Sequence, residues 1–387
     1  LRSLSEAETL AMAGRVLGTE QFPRELKAAL MEKAEGVPLF VEEVTKTLVD
    51  LGILRRENGG YRMVKGVAEV SVPDTIQAII MARLDRLGEE GKRTVQLASV
   101  IGRQFMRRLL ERIAGLTGEL EGVLAELKAL EIIYEQGLLP EPAYIFKHAV
   151  IQDVAYNSLL VQRRKELHGA VGYAIEELYA DRLSEHYEEL APHFFQGEEW
   201  EKAMECSILA GRRAGDAFAN IEAKAHYARA LDAAGKVTPP VDPGVIAGFH
   251  EKHGAVLTVL GEYEEAAADY RRALELIRQV GDRRREIQAL VGLSGVYNFW
   301  HRGEEAIQYN EEALVIAREL DDRAFQAVCL ANRVQVRSAG YGQIVETTPD
   351  AEEALRLSKG IENPQLLALT LIFAGGAFQW RGDFDRS

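Results

Sequence analysis

Apolar positions along the chain change their period twice. Ser5 with Glu8 three residues on is a capping-box pattern, and Leu10, Ala13 and Leu17 follow at helical spacing. Phe22-Pro23 opens a second helix over 24–35, which Gly36-Val37-Pro38 breaks; residues 39–51 resume the period with Phe40, Val44, Leu48 and Leu51 on one face. Asn58-Gly59-Gly60 then reads as a tight turn between strands 53–56 and 61–64. Val72-Pro73-Asp74 caps a helix carrying Ile76, Ile79, Ile80, Leu84 and Leu87. Short helices are predicted over 94–101, 106–114 and 117–130, and strands over 132–134 and 144–146 flank a loop rich in Gly and Pro.

Three helices followed by a β-ribbon is the winged-helix order. Beyond about residue 181 no strand signal is left, and small residues recur. Ala-Leu pairs fall at Ala230, Ala273, Ala313 and Ala354, in steps of 43, 40 and 41 residues. GEYEEAAADYRRAL aligns with RGEEAIQYNEEAL, so an array of helical hairpins is predicted. The fold class is therefore mainly α, with domains expected over 1–70, 71–180 and 181–387. The array resembles long tetratricopeptide repeats: Gly254, Leu257, Tyr263, Ala266, Tyr270 and Ala273 stand at that family's spacing, with Ala306 and Ala313 in the next unit. In that unit Ser294 and Asn310 replace the usual Gly and aromatic residue.

Composition narrows the function. A chain of 387 residues with 47% hydrophobic and 27% charged residues suits two or three globular domains. Cys206 and Cys329 are too few for a disulfide framework or thiolate metal site, which favours the cytoplasm. There is no run of eighteen apolar residues, so no membrane association is expected. The net charge of −14 opposes nucleic-acid binding, and the would-be recognition helix carries Glu119, Glu121 and Glu126 against Lys128. The preceding helix is basic through Arg103, Arg107, Arg108 and Arg112, either as a solvated face or as a dock for an acidic partner domain.

Catalytic chemistry is not visible. No G-x-x-x-x-G-K-[ST] P-loop occurs, nor a G-x-S-x-G elbow. His186 with His193 and His250 with His253 could share helix faces, yet no acidic or Cys partner is found to complete a metal site. Arg381–Asp383 is read as a turn entering a helix, and Glu319–Asp322 as turn charge.

Three stretches, EGVPLFVEEVTKTLVDLGIL, VPDTIQAIIMARLDRLGEEGKRTVQLASVIGRQF and FKHAVIQDVAYNSLL, resemble the region after the ATPase core in bacterial signal-transduction ATPases with numerous domains, which often carry a class III adenylyl cyclase domain or a LuxR-type regulator. The resemblance implies a helical lid, a winged helix and a repeat superhelix downstream of a nucleotide-binding core supplied in cis. It implies ATP or ADP with Mg in that core, and no cofactor within this chain. Gly36 and Pro38 match the family's G-x-P turn, whose Pro packs on adenine. His148 matches the histidine that meets the β-phosphate of ADP, with Ala149 where those relatives carry Asp; capping its helix or packing on the wing is the structural alternative. The expected role is regulatory, with a protein or small-molecule ligand on the superhelix and no enzyme activity in this chain alone. A winged-helix DNA-binding regulator and a free-standing repeat scaffold are the other two readings.

Overall fold

A computed structural model describes residues 4–380 apart from 20, 22, 24–25, 29, 32–35, 58–59, 65–74, 116–119, 138–141 and 342–344. Much of the expected helix over 24–35, the Asn58-Gly59 turn, the Val72-Pro73-Asp74 cap and the Arg381–Asp383 turn lie outside the described residues. The chain divides into two compact units, Leu1–Leu178 and Tyr179–Ser387.

In the first unit, α1 (Glu6–Leu17) starts as its sequence dictates: the Glu8 amide donates to Ser5 Oγ at 3.3 Å, and the Ser5 amide donates to the Glu8 carboxylate at 2.8 Å. It ends at Gly18 in the left-handed region, φ 67°. Pro38 at the first turn preorganises α2 (Pro38–Asp50). Strands β1 (Leu54–Glu57) and β2 (Gly60–Met63) pair antiparallel, Leu54 opposite Met63. Ala13, Leu17, Phe40, Val44, Leu48, Ile53 and Leu54 share one core with Ile79 of α3 (Ile76–Leu84).

Next come α4 (Glu89–Ile101), β3 (Gln104–Met106), α5 (Arg107–Ala114), α6 (Leu120–Ala129), β4 (Ile133–Gln136) and β5 (Ala143–Phe146). The three strands form one sheet in the order β3-β5-β4, all antiparallel. Phe105 of β3 stacks on Tyr144 of β5 at 5.8 Å between ring centroids and packs on Phe146 at 5.7 Å. Strand β3 is absent from the sequence prediction, since three residues pairing with a segment forty positions later carry no local period. Helices α7 (Ala149–Asn157) and α8 (Val161–Leu178) complete the unit.

The second unit is helical throughout its described residues. After a short 3-10 turn at Ala180–Glu185 follow α9 (Tyr187–Gln196), α10 (Trp200–Asp216), α11 (Asn220–Ala234), α12 (Pro243–Leu260), α13 (Tyr263–Val280), α14 (Arg283–Phe299), α15 (Gly303–Glu319), α16 (Arg323–Tyr341), α17 (Thr348–Ser358) and α18 (Pro364–Trp380). Successive helices pack as antiparallel hairpins, α10 on α11, α12 on α13 and α14 on α15. Turn residues Phe218, Gly261 and His301 occupy one repeat position, and all three are left-handed, with φ of 59°, 79° and 59°. The architecture is thus mainly α, two small sheets followed by paired helices. Among the described residues no helix is long and apolar enough to cross a membrane.

Candidate functional site

The three residues singled out for nucleotide contact come from two segments more than a hundred positions apart, which the fold joins through Glu42. Gly36 takes φ 73° and turns the chain into α2. Val37 then occupies the N-cap with no side-chain hydrogen bond, and Pro38 is exposed, so the first turn of α2 is uncovered by side-chain caps. One turn further, Glu42 faces the start of α7. Its Oε2 lies 3.8 Å from Nε2 of His148, and its Oε1 accepts from Lys46 at 2.8 Å and from Lys147 at 2.5 Å.

Both lysines also reach Glu131, Lys147 at 2.7 Å and Lys46 more closely, closing a ring of two carboxylates and two ammonium groups. Glu131 sits just beyond α6 in the left-handed region, φ 53°. The ring ties α2 to the base of the β4–β5 ribbon. Hydrogen bonds from Lys147 and Lys46 hold the Glu131 carboxyl at about 2, with burial opposing them. Burial works against the Glu42 carboxylate, yet the same two lysines keep its pKa below the usual range.

His148 occupies the N-cap of α7 with φ −132°, and its side chain makes no capping hydrogen bond. That removes the capping alternative. Its Nε2 is buried without a hydrogen-bond partner among the described residues. Burial pushes the imidazole pKa below its ordinary value, with Glu42 pulling the other way. A neutral imidazole with one uncommitted nitrogen offers, as the Nε2–H tautomer, a donor for a ligand oxygen. A cavity of about 560 Å³ opens beside the ring, walled by Met12, Arg15 and Val16 of α1 together with Glu42, Lys46 and Lys147. Among the described residues no group of three His, Cys, Asp or Glu side chains could hold a metal ion.

Helix α6, the recognition-helix equivalent, sends Glu121 to Arg107 at 2.7 Å, and Arg112 of the basic α5 pairs with Glu177. Part of the basic face is therefore neutralised within the unit.

In the second unit the repeat signature residues are packing residues. Leu257, Ala266, Ala273, Ala306 and Ala313 are buried, Gly254 lies at a helix crossing, and Tyr263 and Tyr270 are half-buried against the same core. A methyl group on Gly254 would come within 2.9 Å of the Tyr270 ring, so only glycine lets α12 and α13 approach this closely. A second cavity of about 590 Å³ lies along α12, where Gly244 and Gly248 leave room between Ile208, Val245, Phe249 and Lys252. Arg285 bounds it, donating to the Gly244 carbonyl at 2.7 Å and to Glu251 at 2.5 Å.

Two features escaped the sequence. His250 and His253 do find an acidic partner: each places Nδ1 on one oxygen of Asp269, at 2.6 and 2.5 Å. Asp269 lies on the following helix, sixteen residues from His253, the same spacing that sets Tyr270 against Gly254. The signal was present in the repeat register. Glu319 and Asp322, expected as turn charge, instead pair with Arg283 and Arg284 across repeats at 2.7 and 2.9 Å.

A tetratricopeptide-repeat family model matches residues 245–319. A model described as a domain of unknown function, DUF8739, matches residues 5–62. An uncharacterized protein of Rhizobium meliloti (strain 1021) is 27% identical over 209 residues, 52% of this chain and 19% of that protein. Regulatory protein RapG of Bacillus subtilis (strain 168) is 33% identical over 116 residues, 30% of this chain and 32% of RapG. The matched part therefore spans about a fifth and about a third of these two relatives. Among solved structures, a signal-transduction ATPase with numerous domains bearing a tetratricopeptide repeat sensor, from Pyrococcus horikoshii, aligns at 14% identity over 100% of this chain and 71% of that one, with a TM-score of 0.34. Aspartyl phosphate phosphatase F from Bacillus subtilis aligns at 13% identity over 100% and 92%, with a TM-score of 0.38. The chain is a mainly α protein that carries a tetratricopeptide-repeat domain.

Proposed function

We propose that this chain is the regulatory and protein-interaction portion of a multidomain signalling ATPase, catalysing no reaction by itself. It works in the cytoplasm, reads a protein or small-molecule partner on the repeat unit, and passes that state to a nucleotide-binding core in cis. The observation that carries the reading is the approach of α2 to the start of α7, where Glu42, one turn into α2, lies 3.8 Å from His148 Nε2. The two motif stretches that the family resemblance matches to nucleotide contact come together through Glu42, and His148 Nε2 has no hydrogen-bond partner among the described residues. A helix N-terminus free of side-chain caps, with an imidazole donor nearby, suits an anionic ligand.

The chemistry expected of the corner is retention rather than turnover. A donor on the β-phosphate of ADP would stabilise the resting arrangement, and a partner that binds the other arrangement better would release it. In the longer polypeptide encoded in frame with this chain, His148→Ala should speed ADP dissociation; unchanged dissociation would defeat the assignment. A second reading, a free-standing repeat regulator, draws on the match to Regulatory protein RapG. Nucleotide binding by the longer polypeptide separates the two.

A further inference from the structure

The hairpins of the second unit repeat a pair of positions sixteen residues apart at their helix crossings: Gly211 with Tyr227, Gly254 with Tyr270, then Ser294 with Asn310. In the first two the aromatic ring is seated on bare glycine, and an added methyl would stand 2.9 Å from the ring at either Gly211 or Gly254. Tyr270 also lies against Gly292 of α14, where a methyl would overlap it. The ring is thus a wedge held between its own hairpin and the next. Burial pushes its hydroxyl pKa up to about 12.

The third hairpin has no such wedge. Asn310 is fully buried at 0% exposure and Ser294 nearly so at 1%. The Asn310 amide donates to the Cys329 carbonyl of α16 at 2.8 Å, but Asn310 Oδ1 and Ser294 Oγ have no hydrogen-bond partner among the described residues. At this position the ring shared by two hairpins is replaced by one amide hydrogen bond and two unmatched polar atoms; other polar ties across the seam run nearer its edges, from Arg333 to Glu311 at 2.8 Å and from Gln326 to the Ala317 carbonyl at 3.1 Å. In a stacked array each seam contributes its own nearest-neighbour stability, and unmatched buried polar atoms weaken the seam that holds them.

We propose that the seam between the α14–α15 hairpin and α16 is the joint of the superhelix. There the array opens and closes, while α10 to α13 move as one block. A partner bridging that seam would select one of its arrangements. The inference rests on the repeat packing alone and does not need the nucleotide reading.

Hydrogen exchange followed by mass spectrometry on the full chain tests it. Amides of α15 and the first half of α16 should exchange at least tenfold faster than those of α12 and α13. Ser294→Gly with Asn310→Tyr should slow α15 and α16 at least fivefold and leave α12 unchanged. The reverse exchange, Gly254→Ser with Tyr270→Asn, should create a fast seam between α13 and α14. That arm separates a joint from fraying toward the chain end, which would not follow the transplanted pair. Equal protection of the two seams in the wild-type chain would overturn the proposal, as would a transplanted pair that leaves α13 and α14 as protected as before. Should either double variant fail to fold, the wild-type profile alone decides.

Discussion

Alanine at Gly254 and alanine at Gly295 should move stability in opposite directions, although both glycines lie inside helices of the same array. A methyl at Gly254 would press on the Tyr270 ring at 2.9 Å, whereas one at Gly295 would meet nothing within 4 Å. Relief of glycine's backbone entropy is worth roughly 0.5–1 kcal/mol in a helix, and overpacking costs about 1–3 kcal/mol. Gly254→Ala is therefore expected to lose about 1–2 kcal/mol and Gly295→Ala to gain about 0.5 kcal/mol in urea unfolding. Equal effects would contradict the packing account. Glu131 supplies a pH test. Its carboxyl is held at about 2 in the folded chain, below the ordinary 4.5, so the stability it lends is complete above pH 4.5 and is lost as pH falls through 2. The Tm gap between wild type and Glu131→Gln should therefore narrow steadily below pH 4.5. A gap that stays constant down to pH 3 would show that the lysine ring contributes nothing there. Sequence located His148 at its helix start through a motif; it could not supply Glu42 as the group facing it, because that contact joins segments 106 residues apart.

Between elements, one polar network in the array centres on Glu286. It is buried in α14, and it accepts from Arg278 of α13 at 2.7 Å and from Arg283 at 2.6 Å. Arg278 and Arg283 in turn reach Glu312 and Glu319 of α15. Both arginines are close to half-exposed, so solvent screens much of the attraction. Glu286→Ala should still cost about 1.5–3 kcal/mol, the range for hydrogen bonds to charged groups. A loss below 0.5 kcal/mol in calorimetric or urea unfolding would show that the network is only surface decoration. The helical hairpins were legible in the sequence because close crossings demand small residues at fixed offsets, and Ala266, Ala273, Ala306 and Ala313 are buried at those crossings. The start of α4 was set five residues too late, since Gly88 takes the N-cap and Glu89 and Glu90 fill the first turn with favourable charge. Among the described strands, β1, β2, β4 and β5 lie within two residues of their expected spans, and β3 was missed because it exists only through its pairing with β5.

At the scale of the molecule, a net charge of −14 and an α6 bearing Glu121 and Glu126 against Lys128 set the chain against phosphate-backbone partners. Duplex DNA binding should stay undetectable at physiological salt; sub-micromolar affinity with a steep salt slope would reverse that view. The first unit places His148 beside the ring of Glu42, Glu131 and two lysines, and the second holds repeats whose signature residues are packing residues. In the proposed role a partner would use what the repeats leave free, such as the 590 Å³ cavity along α12 with its exposed Lys252. The chain alone is accordingly expected to give no calorimetric signal with ADP. Retention of nucleotide by His148 is tested most directly in the proposed longer polypeptide, by following release of a fluorescent ADP analogue from wild type and from His148→Ala. Release at least tenfold faster from the variant, with unchanged thermal stability of the first unit, is the predicted result. Equal release rates, or no nucleotide bound by the longer polypeptide at all, would contradict it.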